Sequence, residues 1–233
     1  MEYKNDLCVI ICNGPSLNDV PDSFLDQYYT IGSNRVFLRY IPDLLAVVDV
    51  KMVHSPELQL DMMQAFKMTP EVVISKDVKG YFQFDDLGEH VHVTEWKNVF
   101  DDDNQLMPAF SNYPYKMLVS GGTVTYCAFQ IGMAKGYNKF LMVGLDHTFV
   151  GPNGDHFSEE YNSPVGIPYN LEPQERWGMG HGNWYFSEIE FVEKTTGFYE
   201  VAKGIIEDTG GWVKNLTPET KLEVFDVQNW REV

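Results

Sequence analysis

Basic side chains are scarce in this chain: 17 Lys and Arg stand against 34 Asp and Glu, a formal net charge of -17. A surface that binds nucleic acid by neutralising phosphates needs the opposite balance, so that class of partner is excluded, although a local basic pocket is not. Cysteine is nearly absent too. The three present have no metal-ligand spacing; Cys8 and Cys12 fall on one face of one apolar strand and Cys127 falls in a helical pattern, which suits buried thiols better than disulfides. No run approaches the ~20 apolar residues of a membrane-spanning helix, and no membrane span is expected. Met1 to Asp6 is too polar to start a signal peptide, so a cytoplasmic setting is expected. Internal repeats and low-complexity segments are lacking. So are the dinucleotide fingerprint G-x-G-x-x-G and the phosphate loop G-x-x-x-x-G-K-[ST].

What is present is enough apolar sequence for a sizeable core, 44% of 233 residues. Leu7–Cys12, Tyr29–Gly32, Leu44–Val48, Val72–Ile74, Val91–Thr94 and Phe140–Gly144 read as short strands, several of them too uniformly apolar for a half-solvated sheet. Val53–Phe66 and Thr123–Lys135 carry helical spacing between them. The predicted architecture is a single α/β domain over 1–233: a Rossmann-like, mainly parallel sheet flanked by helices. A loop-rich lid over 148–183, with many Pro, Gly, Tyr, Trp, His and Asn residues, precedes a long amphipathic helix. That helix carries a break at Gly197, and a last strand pair follows near Val213 and Leu222–Phe225.

The first strand runs directly into Asn13-Gly14-Pro15-Ser16-Leu17. A turn at the carboxyl end of a first strand is where open α/β sheets bind ligands, and Ser16 offers a hydroxyl to a phosphate or ribose. Pro15 removes one N–H from such a cradle, and a strand, turn and helix cap is the plain alternative. Ser120-Gly121-Gly122-Thr123 precedes the central helix, whose N-terminus suits an anion or an ordinary N-cap. Gly144-Leu145-Asp146-His147 ends the sixth strand at the same rim, with Asp155 and His156 nearby, and the spacing matches no recognised metal-ligand set. No metal site is expected there. Asn34 and Asp49 stand at other strand ends, as ligand contacts or turn residues. His181, in Gly178-Met179-Gly180-His181-Gly182-Asn183, has the near-neutral pKa of a general base, although a lone surface histidine is more often inert.

The order of these motifs resembles the bacterial sialyltransferases of glycosyltransferase family 42. The matching pieces are Asn13-Gly14-Pro15-Ser16-Leu17, Asn34, Ser120-Gly121, Gly144-Leu145-Asp146 and Gly180-His181. The chain also resembles the broader DUF115 group, similar to the archaeal pyrophosphokinase MptE, through Asp146-His147-Thr148-Phe149, Asp155-His156-Phe157, Arg176-Trp177 and Leu222-Glu223-Val224-Phe225.

The sialyltransferase resemblance implies transfer of a sugar from a nucleotide donor, most simply CMP-linked, to a glycan-type acceptor hydroxyl by direct inverting displacement without a cofactor. It implies that Asn13, Gly14 and Ser16 meet the nucleotide's phosphate and ribose and that Asn34 helps hold the donor; Pro15 and Asp49, by their places at strand ends, are further nucleotide-binding candidates. Ser120 and Gly121 would line the nucleotide pocket, and Gly122, Gly144 and Asp146 are further nucleotide-binding candidates by position. His181 would be the base. In those enzymes an aromatic pair ending in tyrosine helps the phosphate depart; here His147 and Thr148 stand in its place, leaving His147, Tyr161 or Tyr169 for that role. Tyr161, Tyr169 and Trp177 are the lid's candidate substrate contacts, and a homo-oligomer is left open. The MptE resemblance implies instead magnesium and ATP, with Asp49, Asp146 and Asp155 around the metal and Arg35, Lys51 and Arg176 as the available cations. A non-catalytic nucleotide- or glycan-binding module is the third reading.

Overall fold

Buried alternation sets the architecture. In the computed structural model, which describes residues 6–83, 87–100, 107–147, 156–162 and 188–233, the first strand β1 (Leu7–Ile11) has both faces covered. Val9 and Ile11 pack with Leu17, Phe24 and Phe66 on one side, while Cys8, Ile10 and Cys12 pack with Tyr126, Phe129 and Phe140 on the other. A strand apolar at every position has no solvated face, which is the signature of a parallel sheet sandwiched by helices.

Eight further strands lie parallel to it among the described residues: β2 (Tyr29–Ser33), β3 (Leu44–Val47), β4 (Glu71–Ser75), β5 (Val91–Lys97), β6 (Met117–Val119), β7 (Lys139–Val143), β8 (Trp212–Asn215) and β9 (Asp226–Val227). Their order is β6-β5-β4-β3-β2-β1-β7-β8-β9, so the chain builds outward on one side of β1 and then crosses back to the other. Ile10 accordingly lies opposite Ile31 on one side and Met142 on the other. The helices follow the same division. Those after β1, β3 and β4, namely α1 (Asp22–Leu25), α2 (Pro56–Met68) and α3 (Lys76–Lys79), bury Phe24, Leu58, Met62 and Val78 against one face. The helices after β6 and before β8, α4 (Val124–Ala134) and α6 (Glu188–Asp208), bury Phe129, Ile131, Phe198 and Ala202 against the opposite face. A four-residue helix between them, α5 (Glu159–Asn162), falls inside the expected lid.

The predicted α/β sheet is therefore present, with local differences. The helix expected from Val53 begins instead at Pro56, where Ser55 caps it by accepting from the Leu58 amide at 3.3 Å and Pro56 supplies a preset φ. Gly197 does not break α6, which runs on to Asp208; a side chain at that position would meet nothing within 4 Å, so the glycine marks no packing constraint. Leu222–Phe225 is not a strand. Leu222 and Phe225 are buried in the second core layer, and ladder pairing begins only at Asp226. No described helix is long and apolar enough to cross a membrane.

Candidate functional site

Connections leave β1 toward one face and reach β7 from the other, so the carboxyl ends of these two neighbours form the topological switch point where open α/β sheets bind ligands. Here that seam is stitched shut. The ladder continues past both strands: Cys12 N–H donates to Val143 O and Gly14 N–H to Gly144 O, each at 2.9 Å. A Cβ on Gly14 would lie 2.0 Å from Asp146 Oδ2 and 2.6 Å from Gly144 O, so no larger residue fits without displacing the loop after β7. Asp146 then occupies the donors of the first turn. Its carboxylate accepts from the Ser16 amide at 3.3 Å and from the Ser16 hydroxyl at 2.8 Å, while Thr217 shares a 3.3 Å hydrogen bond with that hydroxyl. Burial raises the Asp146 pKa, opposed by the hydrogen bonds from Ser16. The adjoining recess, about 410 Å³, is lined by Pro15, Ser16, Asp19, Asp146, Thr217 and Glu219. Three carboxylates there repel a phosphate.

The neighbouring crevice, between the ends of β1 and β2, has the opposite character. Asn13 Nδ2 donates to Ser33 Oγ at 3.1 Å, which ties the two turns together and directs the amide oxygen inward. Asn34 follows in the left-handed region, φ 53°, a conformation asparagine tolerates better than most residues. Among the described residues, Asn13 Oδ1 and Asn34 Oδ1 are buried with no hydrogen-bond partner. Above them lies a strap, residues 156–162. Phe157 N–H donates to Asn13 O at 2.9 Å and Asn18 Nδ2 to Phe157 O at 2.7 Å, and the Asn34 side chain lies close enough to the Tyr161 hydroxyl to oppose the effect of burial on its pKa. The rings of His156 and Tyr161 lie with centroids 4.0 Å apart. Burial pulls the His156 pKa down to about 4, and the same cause raises the Tyr161 phenol well above its ordinary value.

On the other side of the edge, Gly121 and Gly122 both have positive φ, 55° and 74°, and turn the chain from β6 into α4. Ser120 donates its hydroxyl to Asn98 Oδ1, and Thr123 caps α4 by accepting from the Tyr126 amide at 3.3 Å. Thr123 also shares a 3.1 Å hydrogen bond with the Tyr199 hydroxyl, and the Tyr199 ring meets His147 edge-on at 6.2 Å. His147 is itself a rarity: a non-glycine residue at φ 55° whose pKa burial lowers to about 4, so it is neutral at pH 7. Backbone strain of this kind at a strand end is a recurrent mark of functional positions.

No family model, curated protein or solved structure matches the chain.

The expected site residues thus separate into three groups. Asn13, Asn34 and Tyr161 meet in the β1–β2 crevice, while the Ser120–Gly122 turn leads into Thr123, which bonds the Tyr199 hydroxyl whose ring meets His147. Gly14, Ser16, Gly144 and Asp146 bond mainly to one another, with Pro15 in the wall of the acidic recess. Asp49 acts as a turn residue, its Oδ1 capping the Lys51 amide at 2.9 Å. His181, Tyr169, Trp177 and Asp155 lie outside the described residues. Magnesium fits the remaining carboxylates poorly, because Asp49 and Asp146 already accept from backbone amides and the described residues contain no group of three His, Cys, Asp or Glu able to hold a metal. Sequence reading missed Ser33, Asn98, Tyr199 and Thr217. Tyr199 carried a signal in its place beside Phe198 on the amphipathic helix; a lone serine, asparagine or threonine carries none.

Proposed function

We propose that this protein is a sialyltransferase-like glycosyltransferase that binds the nucleoside of a nucleotide-sugar donor in the β1–β2 crevice. The observation that carries the reading is the pair of buried, unpartnered amide oxygens of Asn13 and Asn34. An unmade hydrogen bond at a buried acceptor is costly, so the pair selects a ligand that brings donors. Ribose hydroxyls and the exocyclic amine of cytosine are donors; a pyrophosphate has none. The partly exposed ring of His156, 4.0 Å from the buried Tyr161 ring, suits a planar base or a sugar face.

The resemblance supplies the chemistry. The acceptor oxygen attacks the anomeric carbon as the bond from that carbon to the phosphate oxygen breaks, and the electron pair leaves with the nucleotide. His181 takes the acceptor's proton. The positive N-terminus of α4, behind the Ser120–Thr123 turn, favours the departing phosphate. His147, neutral at pH 7, offers the phosphate a ring N–H rather than a full charge. A cytoplasmic setting goes with this reading.

The MptE-like alternative has less support, because Asp49 and Asp146 are held in local hydrogen bonds and Arg35 is engaged with Asp61. Thermal shifts with CMP, UDP, GDP and ATP, with and without magnesium, test the choice. Stabilisation by CMP without metal is expected; stabilisation by ATP only in the presence of magnesium would overturn the proposal. His181→Ala should keep nucleotide binding and lose transfer, and unchanged turnover would remove His181 as the base.

A further inference from the structure

Arg35 carries its charge into the interior, 1% exposed, one residue beyond Asn34. A buried guanidinium persists only when its donors are matched. Nη2 meets Asp61 Oδ2, from α2, at 2.9 Å, while Nη1 donates to the carbonyls of Glu160 at 2.9 Å and Tyr161 at 2.7 Å. The second set decides the role. A purely structural ion pair would turn both arms of the fork onto the half-exposed carboxylate, yet here one arm is given to backbone oxygens of the strap. Those oxygens sit in the last turn of α5, at the negative end of a helix too short to hold itself.

We propose that Arg35 is the positioning residue of the crevice: its guanidinium clamps residues 156–161 over Asn13 and Asn34, and so sets the partly exposed His156 ring against which a planar, donor-bearing ligand lies. The ligand part of this inference rests on the nucleoside reading above; the clamp does not. Arg35 touches no ligand itself. It acts through Tyr161, whose carbonyl it binds and whose side chain meets Asn34. Phe157, bonded to Asn13 and Asn18, is the strap's other fixed point.

The test compares the full-length protein with Arg35→Met, which keeps length and apolar bulk but loses every donor, and Arg35→Lys, which keeps charge but loses the fork. Amide exchange is followed at Phe157, in the strap, and at Ile10 and Leu141, in the central sheet, and CMP affinity is measured by calorimetry. In Arg35→Met the protection of Phe157 should fall about tenfold or more while Ile10 and Leu141 stay within about twofold, with Arg35→Lys in between. CMP affinity should fall about tenfold alongside. Unchanged Phe157 protection in both variants overturns the clamp, as does an equal loss at all three amides, which would make Arg35 an ordinary core residue. Should Arg35→Met fail to fold, the lysine variant decides by the same comparison. If the wild-type protein shows no heat with CMP while Phe157 behaves as described, the clamp stands and the nucleoside reading falls.

Discussion

The carboxylate of Asp146 accepts hydrogen bonds from both the hydroxyl and the backbone amide of Ser16, 130 positions earlier in the chain. The donors that a phosphate would seek in this turn are thereby satisfied from within. Ser16→Ala should therefore cost about 1 kcal/mol in chemical denaturation while leaving CMP affinity within about twofold. A tenfold loss of affinity at unchanged stability would return Ser16 to the ligand.

Gly14→Ala should be far more damaging than an ordinary loop substitution. The new Cβ would sit 2.0 Å from the Asp146 carboxylate and 2.6 Å from a backbone oxygen, and only the first can yield. A loss of about 2–4 kcal/mol is expected from the denaturation midpoint. Gly136→Ala is the control: strained by its φ of 94° but with nothing within 4 Å, it should cost clearly less.

Asn34 combines two properties that a pair of variants separates. Asn34→Gly keeps the positive φ accessible but removes the amide, so nucleotide affinity should fall about tenfold with little change in stability. Asn34→Ala removes the amide and strains the backbone, which should add about 1 kcal/mol of destabilisation at the same affinity loss. Equal stabilities would show that the left-handed turn imposes no strain on alanine; unchanged affinity in both would remove Asn34 from the ligand.

Acid should weaken the fold before the carboxylates titrate. His147 and His156 are both pulled from 6.5 to about 4 by burial. Between those values the unfolded chain binds protons that the folded chain does not, so stability falls as pH drops from about 6.5 toward 4. Allowing for solvent screening, each histidine should contribute about 1 kcal/mol of loss between pH 7 and pH 5. Urea titrations across that range check this, and His156→Gln should remove about half of the slope. A flat profile in the wild-type protein would contradict both shifts.

How far the sequence carries this picture depends on the range of the interactions involved. β1, β7 and α4 are legible because burial on both faces or a capped apolar stripe is written into adjacent residues. β6 is not: three residues, Met117–Val119, become a strand only because Glu95–Lys97 lies alongside. Leu222–Phe225 misleads for the reverse reason, since its apolar residues fill a core without gaining a ladder partner. The site was legible as a set of strand ends and illegible as a set of partners. Nothing local to Ser16 announces Asp146, and nothing local to Arg35 announces the carbonyls of Glu160 and Tyr161.

The place of β1 between β2 and β7 has a consequence for how the chain reaches this state. Until Lys139–Val143 is available, Cys8–Ile11 has a neighbour on one side only and shows the other as a row of unpaired backbone groups flanked by apolar side chains. That is the profile of a segment that recruits foreign strands. The middle of the finished sheet is the exposed margin of the half-made one, and fragments ending before β7 should aggregate through the very strand that leads into Asn13.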